Sequence, residues 1–176
     1  MNETAAEAII LAINALGAGI LLFIAGVVQK LMNEMDESDF KQFLNALDRT
    51  AMTSPLVVTV ATLPLIAAVI YFVAFGFHHW WFTAGFVVWL AGSTITKITN
   101  MPVYKWVGDP RNIDPEELQR QRRKLRLGND LRAWLTLFSV VLMACQFGPR
   151  EVAGTVVLSV AVSVPLIWLA RKYIPN

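Results

Sequence analysis

The chain has one cysteine, Cys145, and two histidines, His78 and His79, and both scarcities exclude chemistry. A single thiol builds neither a disulfide framework nor a Cys-pair redox motif within one chain, and Cys145 lies in an apolar run, where it reads as a small buried hydrophobe. Adjacent histidines on a helix point about 100° apart, so they are not expected to ligate one ion from one face. With no further histidine, a bis-histidine haem cannot be assembled across two helices. No metal and no cofactor is expected on these grounds. Charge is scarce as well, at 16% of 176 residues, and a net charge of +2 offers no footing for nucleic acid. The glycine-rich phosphate loop, the dinucleotide fingerprint and the nucleophile elbow are all missing. Residues Met1 to Ala8 carry Glu3 and Glu7 but no Lys or Arg, so no cleavable secretory signal is expected.

What the chain has in abundance is apolar length. Hydrophobic residues make up 56% of it and the mean hydropathy is +0.52, more than a core of this size absorbs. Five segments have spanning length, at about 8–28, 55–77, 80–98, 131–147 and 152–170. The expected fold is therefore an all-α integral membrane helical bundle, one membrane domain over 1–176, with five transmembrane helices. Loops 29–54 and 99–130 separate the spans unevenly. With the N-terminus outside and the C-terminus in the cytoplasm, every Lys and Arg except Arg150 falls on the cytoplasmic side, as the positive-inside rule requires. The plasma (inner) membrane is the expected location. Trp80 and Trp81 mark the outer interface of the third span.

Both cytoplasmic loops carry helical signals. Phe40, Phe43, Leu44 and Leu47 recur at helical spacing, which predicts an amphipathic helix over 39–51. Asp114-Pro115-Glu116-Glu117 is a helix start ahead of the basic run Arg120, Arg122, Arg123, Lys124 and Arg126, with Gly128 as its expected end. That run sets topology, holds anionic lipid headgroups, or docks the acidic first loop around Glu34, Asp36, Glu37 and Asp39. Partners expected from these features are membrane lipids, including anionic ones, and a membrane protein or a second copy of the chain.

One polar stripe stands out in the spans. Gly85, Trp89, Gly92, Ser93, Thr96, Lys97 and Asn100 share a face of the third span, with Asn14, Ala15, Ala18 and Gly19 as a matching surface on the first. Such stripes serve as helix glue, while Asn14, Lys97 and Asn100 are polar enough to be candidate substrate-binding residues. Asn129 and Arg132 at the start of the fourth span either anchor it at the interface or join Asn100 and Lys97 in a polar pocket.

The order of A-G-I-L-L-F-I-A-G-V-V from Ala18, D-F-K-Q-F-L-N-A-L-D-R from Asp39, T-N-M-P-V-Y-K-W from Thr99 and G-N-D-L-R-A-W from Gly128 resembles the anthrone-oxygenase-like family of small membrane proteins. The resemblance covers the first 147 residues. It implies an Asn-x-Pro-x-Asn pattern, matched by Asn100 and Pro102 but with Tyr104 in place of the second Asn. It also implies a His or Asn three residues before an Arg, matched by Asn129 and Arg132. With Asn129 in place of a histidine base, a proton-abstracting role is weakened. The family usually has four spans, so 152–170 is an addition. Two functions are weighed: a noncatalytic membrane subunit or scaffold with a lipid-accessible polar pocket, and an oxidoreductase acting on a hydrophobic phenolic or quinone-like substrate.

Overall fold

A computed structural model describes residues 2–173, with the side chains of 166–173 and a few others in the last helix outside the description. Among the described residues the chain is all-helical, with no strand. Eight α-helices run in order: α1 (Glu3–Phe23), α2 (Gln29–Glu34), α3 (Glu37–Thr53), α4 (Pro55–Phe75), α5 (Trp80–Ile95), α6 (Met101–Gly108), α7 (Pro115–Ala144) and α8 (Pro149–Tyr173). Two joints are π-helical, Ile24–Val28 between α1 and α2 and Thr96–Asn100 between α5 and α6, so each pair is one continuous rod with a single wide turn.

Three helical stretches are long and apolar enough to cross a membrane: Glu3–Glu34, Pro55–Phe75 and Pro115–Phe147. By length and composition they mark a membrane protein. Large side chains that a soluble protein would bury face outward on α4, where Ile66, Ile70 and Val73 are exposed. The segment from Trp80 holds Gly, Ser, Thr and Trp among its apolar residues and is not one of the three. The fifth expected span lies within α8, which touches the rest of the chain mainly at the end of α7.

The bundle is organised on α7, which packs along α5 on one side and α1 on another, with α4 against α1 and its Tyr71 and Phe72 rings against α5. Close approach of α5 and α7 requires glycine at position 85, where a Cβ would stand 2.8 Å from the Ser139 carbonyl oxygen and 2.9 Å from the Met143 nitrogen. Two apolar clusters close the ends. Ala6, Ile10, Tyr71, Phe82 and Met143 pack at the end near the α4–α5 turn. Met32, Phe40, Leu44, Val103, Val107, Leu118 and Leu125 pack at the other, where α3 and α6 lie against the base of α7.

Several local expectations hold. The amphipathic helix is α3, capped by Asp36, whose carboxylate accepts from the Asp39 N–H at 2.8 Å. Asp114 caps α7 in the same way, and Pro55 occupies the first turn of α4 behind Ser54. One expectation fails. Gly128 ends no helix: the basic segment and the fourth apolar run are one 30-residue helix, because the glycine is spent on a contact, with the Asn100 and Thr99 side chains filling the space where its Cβ would be.

Candidate functional site

Two polar clusters lie inside the bundle, one at each end. The first is a ladder of amides across three helical rods. Asn100 Nδ2 donates to Asn129 Oδ1 at 2.7 Å, and Asn129 Nδ2 donates to Gln29 Oε1 at 2.9 Å. Gln29 Nε2 in turn donates to Asn33 Oδ1 at 3.0 Å. Thr99 Oγ1 lies 2.9 Å from Asn100 Oδ1 at the opposite end. Gln29, Asn100 and Asn129 are all buried. Both π turns adjoin the ladder, one immediately before Gln29 and the other ending on Asn100. A π turn inserts one residue and so rotates the helix beyond it, which brings an amide to the inner face of an otherwise apolar rod. Gly128 supplies the room for Asn100.

The expected site residues are only partly gathered here. Asn100 and Asn129 meet directly, as the sequence suggests, but their hydrogen-bonding capacity goes to each other and to Gln29. Arg132 is near them, half-buried, donating from Nη1 to Thr96 Oγ1 at 3.2 Å, while its Nε is buried without a partner among the described residues. Tyr104 stands by the same guanidinium, and burial pushes its phenol above the ordinary value while the Arg132 charge pulls against that shift. Lys97 is exposed and makes no hydrogen bond to the ladder. Asn14 is deeper in the bundle and separate, donating to Ser139 Oγ at 2.8 Å, with its Oδ1 buried and unpartnered among the described residues. Its neighbours Ala15 and Gly19 are exposed, so of the three small residues expected to line that surface only Ala18 joins the buried face.

The basic run divides. Arg122 donates to the Met35 carbonyl at 2.9 Å and to the Asp36 carbonyl at 2.6 Å, with its guanidinium 4.2 Å over the Phe40 ring. It therefore clamps the α2–α3 corner through backbone carbonyls rather than carboxylates. Lys41 closes the other side by donating to the Asn112 carbonyl at 2.7 Å. Arg120 pairs locally with Glu117, and Arg123, Lys124 and Arg126 stay outside these contacts.

The second cluster is not legible in the histidine spacing. His78 and His79 are not helical: they come after Gly76, whose φ of +84° turns the chain at the end of α4, and His79 is the N-cap position of α5. The separation that a helix would impose on the pair is therefore absent, and both rings reach one carboxylate. His78 Nε2 is 3.0 Å and His79 Nδ1 3.4 Å from Glu3 Oε1. Glu7, only 2% exposed, is 2.5 Å from His79 Nδ1. The buried Tyr71 hydroxyl lies 2.7 Å from Glu7 Oε1 and 3.0 Å from Glu3 Oε1. A signal for this cluster does exist in sequence: Glu3 and Glu7 are four residues apart and so share a helix face.

Two apolar cavities are present, one away from both clusters and one that touches the second cluster through Tyr71. One, about 310 Å³, opens between the end of α7 and the start of α8 beside Val141, Phe147 and Val152, and the other, about 140 Å³, lies between α1 and α4 beside Ile10, Ile70 and Phe75. Comparison of the chain with family models, with curated proteins and with solved structures finds no match.

Proposed function

We propose that the protein is a noncatalytic subunit or scaffold of a membrane assembly, with five spans formed by α1, α4, α5, α7 and α8. The observation that carries this reading is the amide ladder. The side chains best suited to grip a polar substrate, Asn100 and Asn129, are hydrogen-bonded to each other and to Gln29, which is how polar groups act as glue between membrane helices. Length supports the two further spans: from Trp80 to Asn100 the rod is about 31 Å long at 1.5 Å per residue, and α8 is about 37 Å. In this arrangement the Arg122 clamp and the neighbouring Arg123, Lys124 and Arg126 face the cytoplasm of a plasma (inner) membrane, where they meet anionic headgroups. The His78–His79 turn faces outside.

The test is the mass of the particle extracted with its surrounding lipid. A subunit is expected in a defined assembly larger than the 19.6 kDa chain, either with a specific membrane protein or with copies of itself. A lone chain that retains its full cellular role contradicts the reading.

A second reading, an oxidoreductase of the anthrone-oxygenase type for a phenolic or quinone-like substrate, is favoured by Arg132. A guanidinium with a buried, unpartnered Nε and no carboxylate pairing among the described residues is suited to stabilising an anionic oxygen. The order of the motifs around Asn100, Asn129 and Arg132 supports it too. Oxygen uptake on addition of an anthrone, abolished by Arg132→Gln, would favour this reading over the first.

A further inference from the structure

We propose that Glu3, His78 and His79 form a binding site for one first-row divalent transition-metal ion of the Zn2+ type, at the end of the bundle where α1 begins and α4 turns into α5. One donor atom from each of Glu3, His78 and His79 lies within 4.8 Å of the other two. Ligands at about 2.0–2.1 Å from a tetrahedral zinc stand about 3.3 Å apart. The two Glu3–histidine separations, 3.0 and 3.4 Å, already have that length. The donors of the two rings, no more than 4.8 Å apart, need to close by at most about 1.5 Å on the same geometry. Two imidazoles and one carboxylate are a donor set that suits such ions and leaves a position open for water.

Charge supplies the second argument. Glu3 and Glu7 both direct Oε1 at the one Tyr71 hydroxyl, which has a single proton to share between two carboxylates. No Lys or Arg pairs with either carboxylate among the described residues. Glu7 is buried and Glu3 partly so, and a divalent ion between Glu3 and the two imidazoles supplies opposite charge to both carboxylates. With the ion on His79 Nδ1, the Glu7 carboxylate that faces this nitrogen borders the ion, and the Tyr71 hydroxyl orients the Glu3 and Glu7 carboxylates. Access and placement fit as well. The His78 side chain is 56% exposed, leaving a path from solvent, while the short turn after Gly76 is anchored by helices on both sides.

The test uses the full chain in detergent, purified through a C-terminal tag free of histidine, stripped with chelator and titrated with Co2+ alone. Visible d–d absorption is expected to saturate at one ion per chain and to be displaced by Zn2+. His78→Ala, at a ring 56% exposed, is expected to weaken binding by at least about 100-fold with the helical circular dichroism unchanged, as are His79→Ala and Glu3→Gln. Absence of the bands in the wild type overturns the proposal, as does wild-type affinity in any of these three variants.

Discussion

Replacing Asn129 with alanine removes the middle rung of the ladder, and its cost can be worked from the contacts. Two hydrogen bonds disappear, from Asn100 Nδ2 at 2.7 Å and to Gln29 Oε1 at 2.9 Å. Interhelical hydrogen bonds in membrane proteins contribute about 0.6 kcal/mol each on average. The larger part is what the truncation leaves behind. Asn100 is 0% and Gln29 2% exposed, so their freed amide groups have no direct route to water. A stranded polar group costs about 1–3 kcal/mol. Relaxation around the vacated volume recovers part of this, and the net expectation is a loss of about 2–4 kcal/mol. The assay is reversible unfolding in mixed micelles monitored by tryptophan fluorescence, with Asn100→Ala and the double variant completing a cycle. Since both single variants break the same bond, the double variant is expected to lose less than the sum. Stability of Asn129→Ala within about 0.5 kcal/mol of wild type, or strict additivity in the cycle, would refute the claim that these amides hold the helices together.

Neighbouring contacts give further expected outcomes. Gly128→Ala is expected to destabilise by about 1–3 kcal/mol, because the added methyl meets the Asn100 and Thr99 side chains. Gly19→Ala, with nothing within 4 Å, is expected to be neutral or to gain up to about 1 kcal/mol from helix propensity in the same unfolding assay. Arg122→Ala frees the carbonyls of Met35 and Asp36, so limited proteolysis at the α2–α3 corner is expected to accelerate about tenfold, from the loss of about 1.5 kcal/mol in charge-assisted hydrogen bonds. Unchanged cleavage would show that the clamp does not hold the corner.

Regular patterning makes much of this architecture readable in the sequence. The apolar runs form helices, the spacing of Phe40, Leu44 and Leu47 forms α3, and Asp114-Pro115 begins a helix where its chemistry requires one. The features that escape depend on contacts between distant segments. Gly128 has the local character of a helix stop, and only the arrival of Asn100 from another rod explains why the helix continues through it. Gln29 comes after an apolar run with nothing nearby to identify it as part of a ladder, and the π turn that orients it has no sequence signature comparable to a cap. Lys97, on the same stripe as Asn100 by helical counting, is exposed within the π turn, where that counting no longer applies. The histidine pair escapes for a related reason: spacing rules for a helix do not govern a turn opened by a glycine with positive φ.

The oriented five-span arrangement is open to impermeant-maleimide labelling of single cysteines in a Cys145→Ala background, in sealed cells. Cysteines replacing Phe77 and Arg150 are expected to react from outside, whereas those replacing Asn112 and Arg123 are expected to react only after permeabilisation. Labelling of position 123 in intact cells, or of only one of positions 77 and 150, would show that the spans are fewer than five or run the other way.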